Sequence, residues 1–181
     1  MIETERLLLR PPEPTDLDPV YRLVSDPNVM RWLSRSGSPE TREDAAARIE
    51  RWTRAWEIDG FGHFVVVRRD TAAVIGRVGF LVWADDPWSH GLRAEIGDRA
   101  EIELGWSLES AAWGRGYATE AARAARDWGL EHVEMRRLIS LIDHENVRSQ
   151  RVAEKIGERY RHDIVLAAGG TLGLWQLASP R

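Results

Sequence analysis

Apolar residues in the first third of the chain recur at helical spacing after one strand-like stretch. This stretch covers residues 4–10 and ends at two prolines, which cannot donate to a sheet ladder. Apolar positions in residues 17–24 fall at i, i+3, i+4 and i+7, and residues 15–18 resemble a capping box, so we predict an amphipathic helix there. A second helix is predicted from Thr41, with Asp44 completing its capping box. Its apolar stripe, which we interpret as core, consists of Ala45, Ile49, Trp52 and Trp56.

The middle of the chain changes to a pattern typical of strands. Residues 63–69 and 74–82 indicate two strands joined by a turn at residues 70–72, which predicts an antiparallel hairpin. Residues 83–99 are polar, contain glycine and proline and are long for a connection, so we predict a functional loop there. Trp32 precedes another loop-like segment, and the sequence favours neither a core position nor a pocket wall for it.

Residues 101–122 predict a strand, a glycine turn and a helix in direct succession. Residues 101–108 alternate between polar and apolar side chains, and Gly114 and Gly116 precede a helical segment with an alanine face. This face consists of Ala118, Ala121, Ala122 and Ala125. The first N–H groups of a helix have no internal partner, and glycines let an anion approach them closely. The stretch therefore suits a phosphate group, although a bare G-x-G also occurs in ordinary strand-to-helix turns.

The last third of the chain predicts a buried strand, a helix and a hairpin. Residues 138–142 form a continuous apolar run, which favours a strand in the middle of a sheet. A helix is predicted from Asn146 to a stop at Gly157. The final hairpin, with a two-residue turn, is predicted from residues 161–168, Gly169, Gly170 and residues 171–177. Strands and helices mixed in this way predict an α+β fold.

Composition limits the size of the fold and its chemistry. With 181 residues, 43% of them hydrophobic, the chain predicts a single domain, residues 1–181. Its 25 Lys and Arg against 29 Asp and Glu give a net charge of −4, so neither nucleic acid nor a membrane is expected as a partner. The absence of cysteine excludes disulfides, zinc–thiolate sites and a cysteine nucleophile, and we expect no metal. Without a signal-peptide core or a spanning segment, a soluble, cytoplasmic protein is expected.

Known nucleotide motifs fit the glycine turn poorly. The dinucleotide fingerprint G-x-G-x-x-G needs a glycine where Thr119 stands, and the phosphate loop ending in Gly-Lys-Ser/Thr is absent. The turn instead resembles the acetyl-CoA signature of the GNAT family of N-acetyltransferases, laid over Trp113, Gly116 and Ala118. Trp113 departs from the usual glutamine or arginine. This departure is the norm in the RimJ/RimL-like branch, which acetylates ribosomal-protein N-termini and related amines.

The resemblance extends over nearly the whole chain. Further marks typical of this branch are residues 4–10, 61–64, 75–79, 146–149 and 154–157. The family implies a mixed, mostly antiparallel sheet that splays at its central strand and carries helices on both faces. It also implies acetyl-CoA as cosubstrate, bound in the split, and direct transfer of the acetyl group to a primary amine.

The resemblance assigns roles to several residues. Glu103 is the expected general base and Glu101, two residues earlier on the same strand face, is the reserve, although either could be a solvated strand residue. A bulge near Leu104, Gly105 and Trp106 is expected to turn N–H groups toward the thioester and the pantetheine arm. The expected pyrophosphate site consists of Gly114, Arg115, Gly116, Tyr117, Ala118 and Thr119. Asn146 is expected to bind the pantetheine amides, a role that is compatible with capping its helix.

Two departures from the family leave questions open. Ala153 stands where many members carry a tyrosine acid, so Ser149, Tyr160 or water must protonate the leaving thiolate. Glu158 replaces a phenylalanine that anchors the core in the family. These departures leave open a non-catalytic acetyl-CoA-binding module. A second alternative, ranked last, is a dinucleotide-dependent oxidoreductase, in which Gly114, Gly116 and the acidic residue Glu134 would form the fingerprint.

The sequence leaves the acceptor amine open. Candidates are a polypeptide N-terminus, an amino acid, a polyamine and an aminoglycoside-like amine. The acidic residues of the segment 83–99 weakly favour a cation, although an acidic loop is more often simply solvated. A homodimer is common for the fold, and no interface can be identified from the sequence.

Overall fold

The computed structural model describes residues 1–34, 36–85 and 87–177, and these residues form one nine-stranded sheet with six α-helices. The strands are β1 (Ile2–Glu3), β2 (Leu7–Arg10), β3 (His63–Arg68), β4 (Val74–Asp85), β5 (Trp88–Gly91), β6 (Ala100–Leu108), β7 (Leu138–Ile142), β8 (Glu158–Val165) and β9 (Thr171–Leu177). The helices are α1 (Leu17–Ser25), α2 (Pro27–Leu33), α3 (Arg42–Asp59), α4 (Arg93–Ile96), α5 (Tyr117–His132) and α6 (Val147–Lys155). Short 3₁₀ turns lie at Pro14–Asp16, Gly97–Arg99 and Ser110–Ala112.

The sheet is mixed and mostly antiparallel. Its strand order is β1-β2-β3-β4-β6-β7-β9-β8, with β5 paired to β4 beside this path. Among the named strands, β6 and β7 form the parallel pair, and α5 supplies the crossover that such a pair requires. The fold-class prediction is therefore confirmed. A dinucleotide-binding oxidoreductase needs a parallel sheet that begins at the glycine fingerprint, and this topology contradicts it.

The sheet splits between its two central strands. β6 and β7 pair at Ile102 with Leu138 and at Glu103 with Ile139, and the pairing stops there. Both strands continue beyond this point without pairing to each other, while β7 keeps its pairing with β9 on its other edge from Ile139 to Ile142. The predicted splay at the central strand is thus present and begins directly after Glu103.

Helices cover both faces of the sheet. Successive strand residues point to opposite faces, and on β3 the ring of His63 meets Trp52 of α3, while Phe64 meets Trp128 of α5. The alanine face of α5 packs on the main core as predicted, with Ala121, Ala122 and Ala125 fully buried. Further along α5, Gly129 makes room for the ring of Phe80, since a Cβ there would lie 2.5 Å from the ring.

A separate apolar cluster holds the first three helices together. It consists of Val20, Val24, Met30, Ala45, Ile49 and Trp52. The capping box of α3 at Thr41 and Asp44 is confirmed. The box predicted at residues 15–18 is wrong, because the backbone N–H of Glu13 donates to the carboxylate of Asp16 at 2.7 Å and starts a 3₁₀ turn before α1.

Two segments differ from their predictions. The expected loop at residues 83–99 contains the end of β4, β5, α4 and a 3₁₀ turn, because the strand pattern of β4 continues to Asp85 and pairs with β5. Asp86 lies outside the described residues. The final hairpin exists, but β8 starts at Glu158 and the connection has five residues, 166–170, instead of two. Gly169 and Gly170 both adopt positive φ within it.

A second contact joins the two halves of the sheet. Trp88 of β5 pairs with Leu166 in the β8–β9 connection, and the N–H of Ala167 donates to the Trp88 carbonyl at 2.8 Å. We call this contact the Trp88 bridge. It crosses the split on the face that carries Glu103, because the ring of Trp88 lies beside that of Trp83, which bonds Glu103. No helix in the described ranges is both long and apolar enough to cross a membrane.

Candidate active site

A cleft of about 1640 Å³ follows the split in the sheet. One part, which we call the glycine end, is lined by the turn before α5 and by the start of α6. The other part, which we call the Glu103 end, is lined by β3, β4, β6 and α3. Trp32 is one of the lining residues, so it forms part of the wall of this cleft.

The glycine end presents the first turn of α5. Gly114 and Gly116 have φ values of +75° and +81°, which side-chain-bearing residues rarely adopt. Because Gly116 is the N-cap of α5, no N-cap side chain occupies the N–H groups of the first turn. The residues of this turn that line the cleft are Gly114, Gly116, Tyr117, Ala118 and Thr119. The arrangement suits an anion, because the helix dipole adds partial positive charge there.

The N-terminal segment fixes this turn. Arg6 forms an ion pair with Glu120 at 2.6 Å, stacks over the ring of Tyr117 and donates to the carbonyl of Arg115 at 3.0 Å. Thr4 donates to the same Glu120 at 2.6 Å. The side chain of Arg115 is not among those that line the cleft.

Cations at the glycine end come from α6, and the sequence reasoning missed them. Arg148, Arg151 and Lys155 line the cleft, and Arg148 stacks over Trp113 at 4.7 Å. Their spacing of three and four residues along the predicted helix places them on one face, and this spacing was a usable signal. These three side chains supply the positive charge at the glycine end that was expected from Arg115.

Asn146 caps α6 at the edge of the cleft. Its Oδ1 accepts from the backbone N–H of Ser149 at 3.2 Å, which leaves the Nδ2 group available as a donor. Asn146 and Ser149 both line the cleft. Tyr160 is half exposed, donates to Asp163 at 3.0 Å and is not a lining residue, and Ala153 is buried in the core.

The expected bulge in β6 is absent. β4 and β6 pair without a register shift from Gly76 opposite Leu108 to Ala84 opposite Ala100. The N–H groups reach the split through simple alternation instead. Ser140 Oγ of β7 donates to the Leu104 carbonyl at 2.7 Å, so the backbone groups of Leu104 face the split.

The same alternation fixes the two residues that follow Leu104. The backbone groups of Trp106 face the split as those of Leu104 do, whereas those of Gly105 face β4. All three residues line the cleft. The unpaired edge of β6 thus offers the N–H of Trp106 to a ligand in the split.

Glu103 is a buried carboxylate at the point where β6 leaves β7. Only 8% of its surface is exposed, and its Oε2 accepts from Trp83 Nε1 at 2.6 Å. Burial raises the pKa of Glu103, while the Trp83 hydrogen bond and the charge of Arg77 oppose the rise. A carboxylate with a raised pKa is a better proton acceptor than a solvated one, and Glu103 lines the cleft.

Glu101 lies on the same strand face, as predicted, but in a different environment. It is fully buried and forms ion pairs with Arg136 at 2.9 Å and Arg137 at 2.8 Å. Glu101 is not among the residues that line the cleft. Its two arginines therefore hold it in a structural ion-pair network.

The Glu103 end also contains a buried arginine and a buried histidine that the sequence reasoning did not single out. Arg77 of β4 is 8% exposed, and its Nη1 lies 3.4 Å from the ring of His63. Burial lowers the pKa of Arg77 to about 10, and burial together with the charge of Arg77 holds the pKa of His63 well below its usual range. In sequence both are ordinary strand residues, and only the pairing of β3, β4 and β6 brings them to Glu103.

The segment 83–99 contributes one wall of the Glu103 end. Its lining residues are Trp83, Trp88, Ser89, His90, Gly91, Leu92 and Glu95. Its acidic groups are largely engaged elsewhere, since Asp85 pairs with Arg99 and Glu95 accepts from the Leu92 N–H. Among the described residues, no three His, Cys, Asp or Glu side chains cluster in a way that could hold a metal ion.

Glu158 fills the core position where the family carries phenylalanine. It is fully buried, and its Oε2 has no hydrogen-bond partner among the described residues. Ser140 Oγ lies 2.7 Å from the Leu104 carbonyl and 3.0 Å from Glu158 Oε1. A hydroxyl has one hydrogen, so a protonated Glu158 that donates to Ser140 completes this pair. Consistent with this, burial raises the pKa of Glu158 to about 8.

Together, the split sheet, the open first turn of α5 and the buried carboxylate define a class of acyl-transfer protein. The family model of the acetyltransferase (GNAT) domain matches residues 6–159, and the chain belongs to this family.

Particular relatives agree with this assignment. The uncharacterized N-acetyltransferase YnaD of Bacillus subtilis (strain 168) is 33% identical over 161 residues, which cover 87% of this chain and 82% of that protein. A crystal structure of an acetyltransferase from Agrobacterium tumefaciens is 29% identical, with a TM-score of 0.72, and the match covers 98% of this chain and 94% of that one. The alpha-N-protein acetyltransferase RimL in complex with coenzyme A shares the fold, with a TM-score of 0.74, 12% identity and coverage of 96% and 94%.

Proposed function

We propose that this protein transfers the acetyl group of acetyl-CoA directly to a primary amine, with Glu103 as the general base. The observation that carries the proposal is the position of Glu103, buried in the cleft where β6 parts from β7. A carboxylate there can take a proton from an ammonium group while the split holds the thioester. Glu101, bound by two arginines away from the cleft, has a structural role in this scheme.

The glycine end fits the charged part of acetyl-CoA. Backbone N–H groups of Gly114, Gly116 and the first turn of α5 would hold the pyrophosphate, and the cations of α6 would add charge. The Nδ2 group of Asn146 would donate to a pantetheine amide. RimL, which shares the fold, is solved in complex with coenzyme A, which supports coenzyme A as a ligand of this fold.

The transfer itself needs three contributions from the chain. Glu103 accepts the proton of the acceptor's ammonium, and the free nitrogen attacks the thioester carbonyl carbon to form the new C–N bond. The N–H of Trp106, on the unpaired edge of β6, is directed to the developing oxyanion. The C–S bond breaks as the oxyanion collapses. The leaving sulfur takes a proton from water, either directly or through the hydroxyl of Ser149, which lines the cleft and regains its proton from water.

A thiol-release assay tests the proposal. Purified protein is incubated with acetyl-CoA and a panel of amines and peptides, with Glu103→Gln and a reaction without acceptor alongside, while binding of acetyl-CoA is measured separately by calorimetry. Acceptor-dependent release by the wild-type protein, and its loss in Glu103→Gln with acetyl-CoA binding intact, is the expected result.

The two measurements separate the alternatives. Tight binding of acetyl-CoA without release on any amine would favour the non-catalytic binding module. Equal turnover by wild type and Glu103→Gln would leave transfer in place and remove Glu103 as the base.

A further inference from the structure

The Glu103 end of the cleft carries more positive than negative charge. Arg48 of α3 is neutralised by Glu40 through two hydrogen bonds of 2.5 Å. Arg51, one turn further along α3, lines the cleft and has no carboxylate within 4 Å among the described residues. The same is true of Arg77, whose guanidinium is far more buried. The carboxylate whose charge acts on Arg77 is Glu103, whereas Arg51 lies in the field of Glu40, Asp44 and Glu50 on its own side of the cleft.

Arg77 has the geometry of a recognition group. Its guanidinium lies over Gly105, because a Cβ on Gly105 would be 3.0 Å from Arg77 Nη1 and 3.8 Å from Glu103 Oε1. The absence of a side chain at Gly105 thus creates the space in which Arg77 and Glu103 meet. The hydrogen-bond partner of Arg77 within the described part of the chain is the ring of His63, at 3.4 Å.

A buried arginine without a carboxylate partner is costly for a protein to keep. Buried charges are normally paired, and leaving one unpaired costs several kcal/mol. His63 does not neutralise Arg77, since a histidine carries either no charge or a positive one. Glu103 stabilises the charge of Arg77 from beyond 4 Å, and because Arg77 opens on the cleft, a bound anion would supply a partner in direct contact.

The other acidic residues that line the cleft beside α3 and α4 do not take this role, and Asp143 lies at the other end, before α6. Asp59 caps α4, since its carboxylate accepts from the N–H groups of Arg93 and Ala94 at 2.9 and 3.3 Å. Glu95 accepts from the N–H of Leu92 at 3.3 Å. Both carboxylates accept hydrogen bonds from backbone N–H groups at the start of α4, and neither forms an ion pair with Arg77.

The walls of this end favour a small acceptor. The indole N–H of Trp83 donates to Glu103, and the centroid of the Trp88 ring is 6.4 Å from that of Trp83. Trp88 also makes the bridge to Leu166 and Ala167 across the split. Glu103 is therefore covered by the indole of Trp83, and a second contact between the halves of the sheet lies beside it.

We propose that the acceptor is a small amino acid-like amine, whose amino group meets Glu103 and whose carboxylate, close to the amine, is bound by Arg77 with Arg51 at the rim. The planar fork of a guanidinium matches a carboxylate through two parallel hydrogen bonds. Since a Cβ on Gly105 would lie 3.0 Å from Arg77 Nη1 and 3.8 Å from Glu103 Oε1, the two tips are less than about 7 Å apart, a span that the amine and carboxylate of one small ligand can bridge. The inference rests on the proposed acetyl transfer and names its substrate class.

The test compares matched acceptors. Thiol release from acetyl-CoA is measured with each common amino acid as the free acid and as its α-carboxamide, and with spermidine and an uncharged tripeptide amide. The carboxamide keeps the amine and the side chain and removes the negative charge. We expect kcat/KM to be at least tenfold higher for the best free acid than for its amide.

Variants of Arg77 assign the preference to this residue. Arg77→Gln is assayed on the pH plateau above the limb of Glu103, because Arg77 lowers the pKa of Glu103. There it is expected to lower kcat/KM for the free acid at least tenfold and to change that of the amide less than twofold, which abolishes the preference. Arg77→Lys keeps a charge at the site and is expected to retain part of the preference. It serves as the test variant if Arg77→Gln does not fold. Arg42→Gln, on an exposed arginine of α3 outside the cleft, is the control and should leave the acid-to-amide ratio unchanged.

Each other outcome contradicts the inference. Amides, spermidine or the tripeptide acetylated as well as the free acids would overturn it while leaving the proposed function intact. An equal loss on acids and amides in Arg77→Gln would reduce Arg77 to a structural residue. Silence with every amine would overturn the proposed function, and this inference with it.

Discussion

The two ends of the cleft are built in different ways. The glycine end consists of backbone N–H groups and helix termini from residues that are close in sequence, between Gly114 and Thr119 and around Asn146. The Glu103 end consists of side chains from β3, β4 and β6, where His63, Arg77 and Glu103 are brought together by strand pairing. A site made of backbone groups suits a ligand that is shared by a whole family. A site made of side chains can be altered by single substitutions, which suits a ligand that differs between members.

This difference separates binding from chemistry in the proposed enzyme. Changes at the glycine end should alter the use of acetyl-CoA equally for all acceptors. Changes at the Glu103 end should alter the chemical step or the choice of acceptor without weakening acetyl-CoA binding. The following substitutions test this separation.

Glu103→Gln should have the largest effect. Loss of a general base typically lowers kcat by about 10²- to 10⁴-fold, and we expect the affinity for acetyl-CoA to stay within about twofold of the wild type. The wild-type kcat/KM should rise with pH through the raised pKa of Glu103, and this limb should be missing in the variant. Steady-state rates from pH 5 to 9 check both points. A variant that keeps the same pH limb would show that another group is the base.

Glu158→Gln should change stability and leave both ends of the cleft as they are. The folded protein binds the Glu158 proton more tightly than the unfolded chain, because its pKa is raised from 4.5 to about 8. Stability from this group is therefore full below about pH 4.5 and is lost as pH rises toward 8. Since one pKa unit corresponds to about 1.4 kcal/mol and pH 7 lies about 2.5 units above 4.5, the variant should be more stable than the wild type by roughly 3 kcal/mol at neutral pH.

Urea unfolding at pH 5, 7 and 8.5 measures this difference. Glu154→Gln, an exposed glutamate on α6, is the control and should follow the wild type. A difference between Glu158→Gln and wild type that does not grow with pH would exclude a buried, titrating Glu158.

Gly116→Ala should weaken acetyl-CoA binding. The left-handed backbone at Gly116 disfavours a Cβ by about 1–2 kcal/mol, which corresponds to roughly tenfold in affinity if the turn shifts. We expect KM for acetyl-CoA to rise about tenfold with every acceptor. Gly60→Ala has nearly the same backbone angles but lies outside the cleft, so it should lose stability and keep its KM. A rise in KM that depends on the acceptor would contradict the separation.

Arg148→Gln should have the smallest effect. The side chain is exposed and stacked on Trp113, so we expect KM for acetyl-CoA to rise only about threefold, an effect that shrinks as salt is added. Arg161→Gln on the exposed part of β8 is the matched control. A salt-independent effect would indicate lost packing on Trp113 instead of lost charge.

The sequence predicted the glycine end better than the Glu103 end, and the reason is physical. Gly114, Gly116 and the α5 face form a local motif, so their conformation follows from neighbouring residues. The splay was predicted from the family resemblance, and the strand pairing in the structure confirms it. Arg77 and His63 could not be identified as site residues, because their meeting depends on the register of three strands.

Other errors have similar causes. The segment 83–99 looked like a loop because β5 has only four residues and α4 only four, too short to show a period. The bulge was expected from the family, but Gly105 is needed as the space for Arg77, and the register of β4 with β6 stays regular. Glu158 seemed to remove a core anchor, whereas it is buried as a carboxyl group beside Ser140.

The Trp88 bridge has a consequence for the thermodynamics of ligand binding. The halves of the sheet are joined by the β6–β7 pairing and again by the hydrogen bond between Ala167 and Trp88, so the gap between them is bounded twice. A gap held in this way has few alternative widths, and its conformational entropy is lost during folding instead of during binding. The two substrates would therefore meet a preorganised opening, which favours affinity without requiring a larger interface.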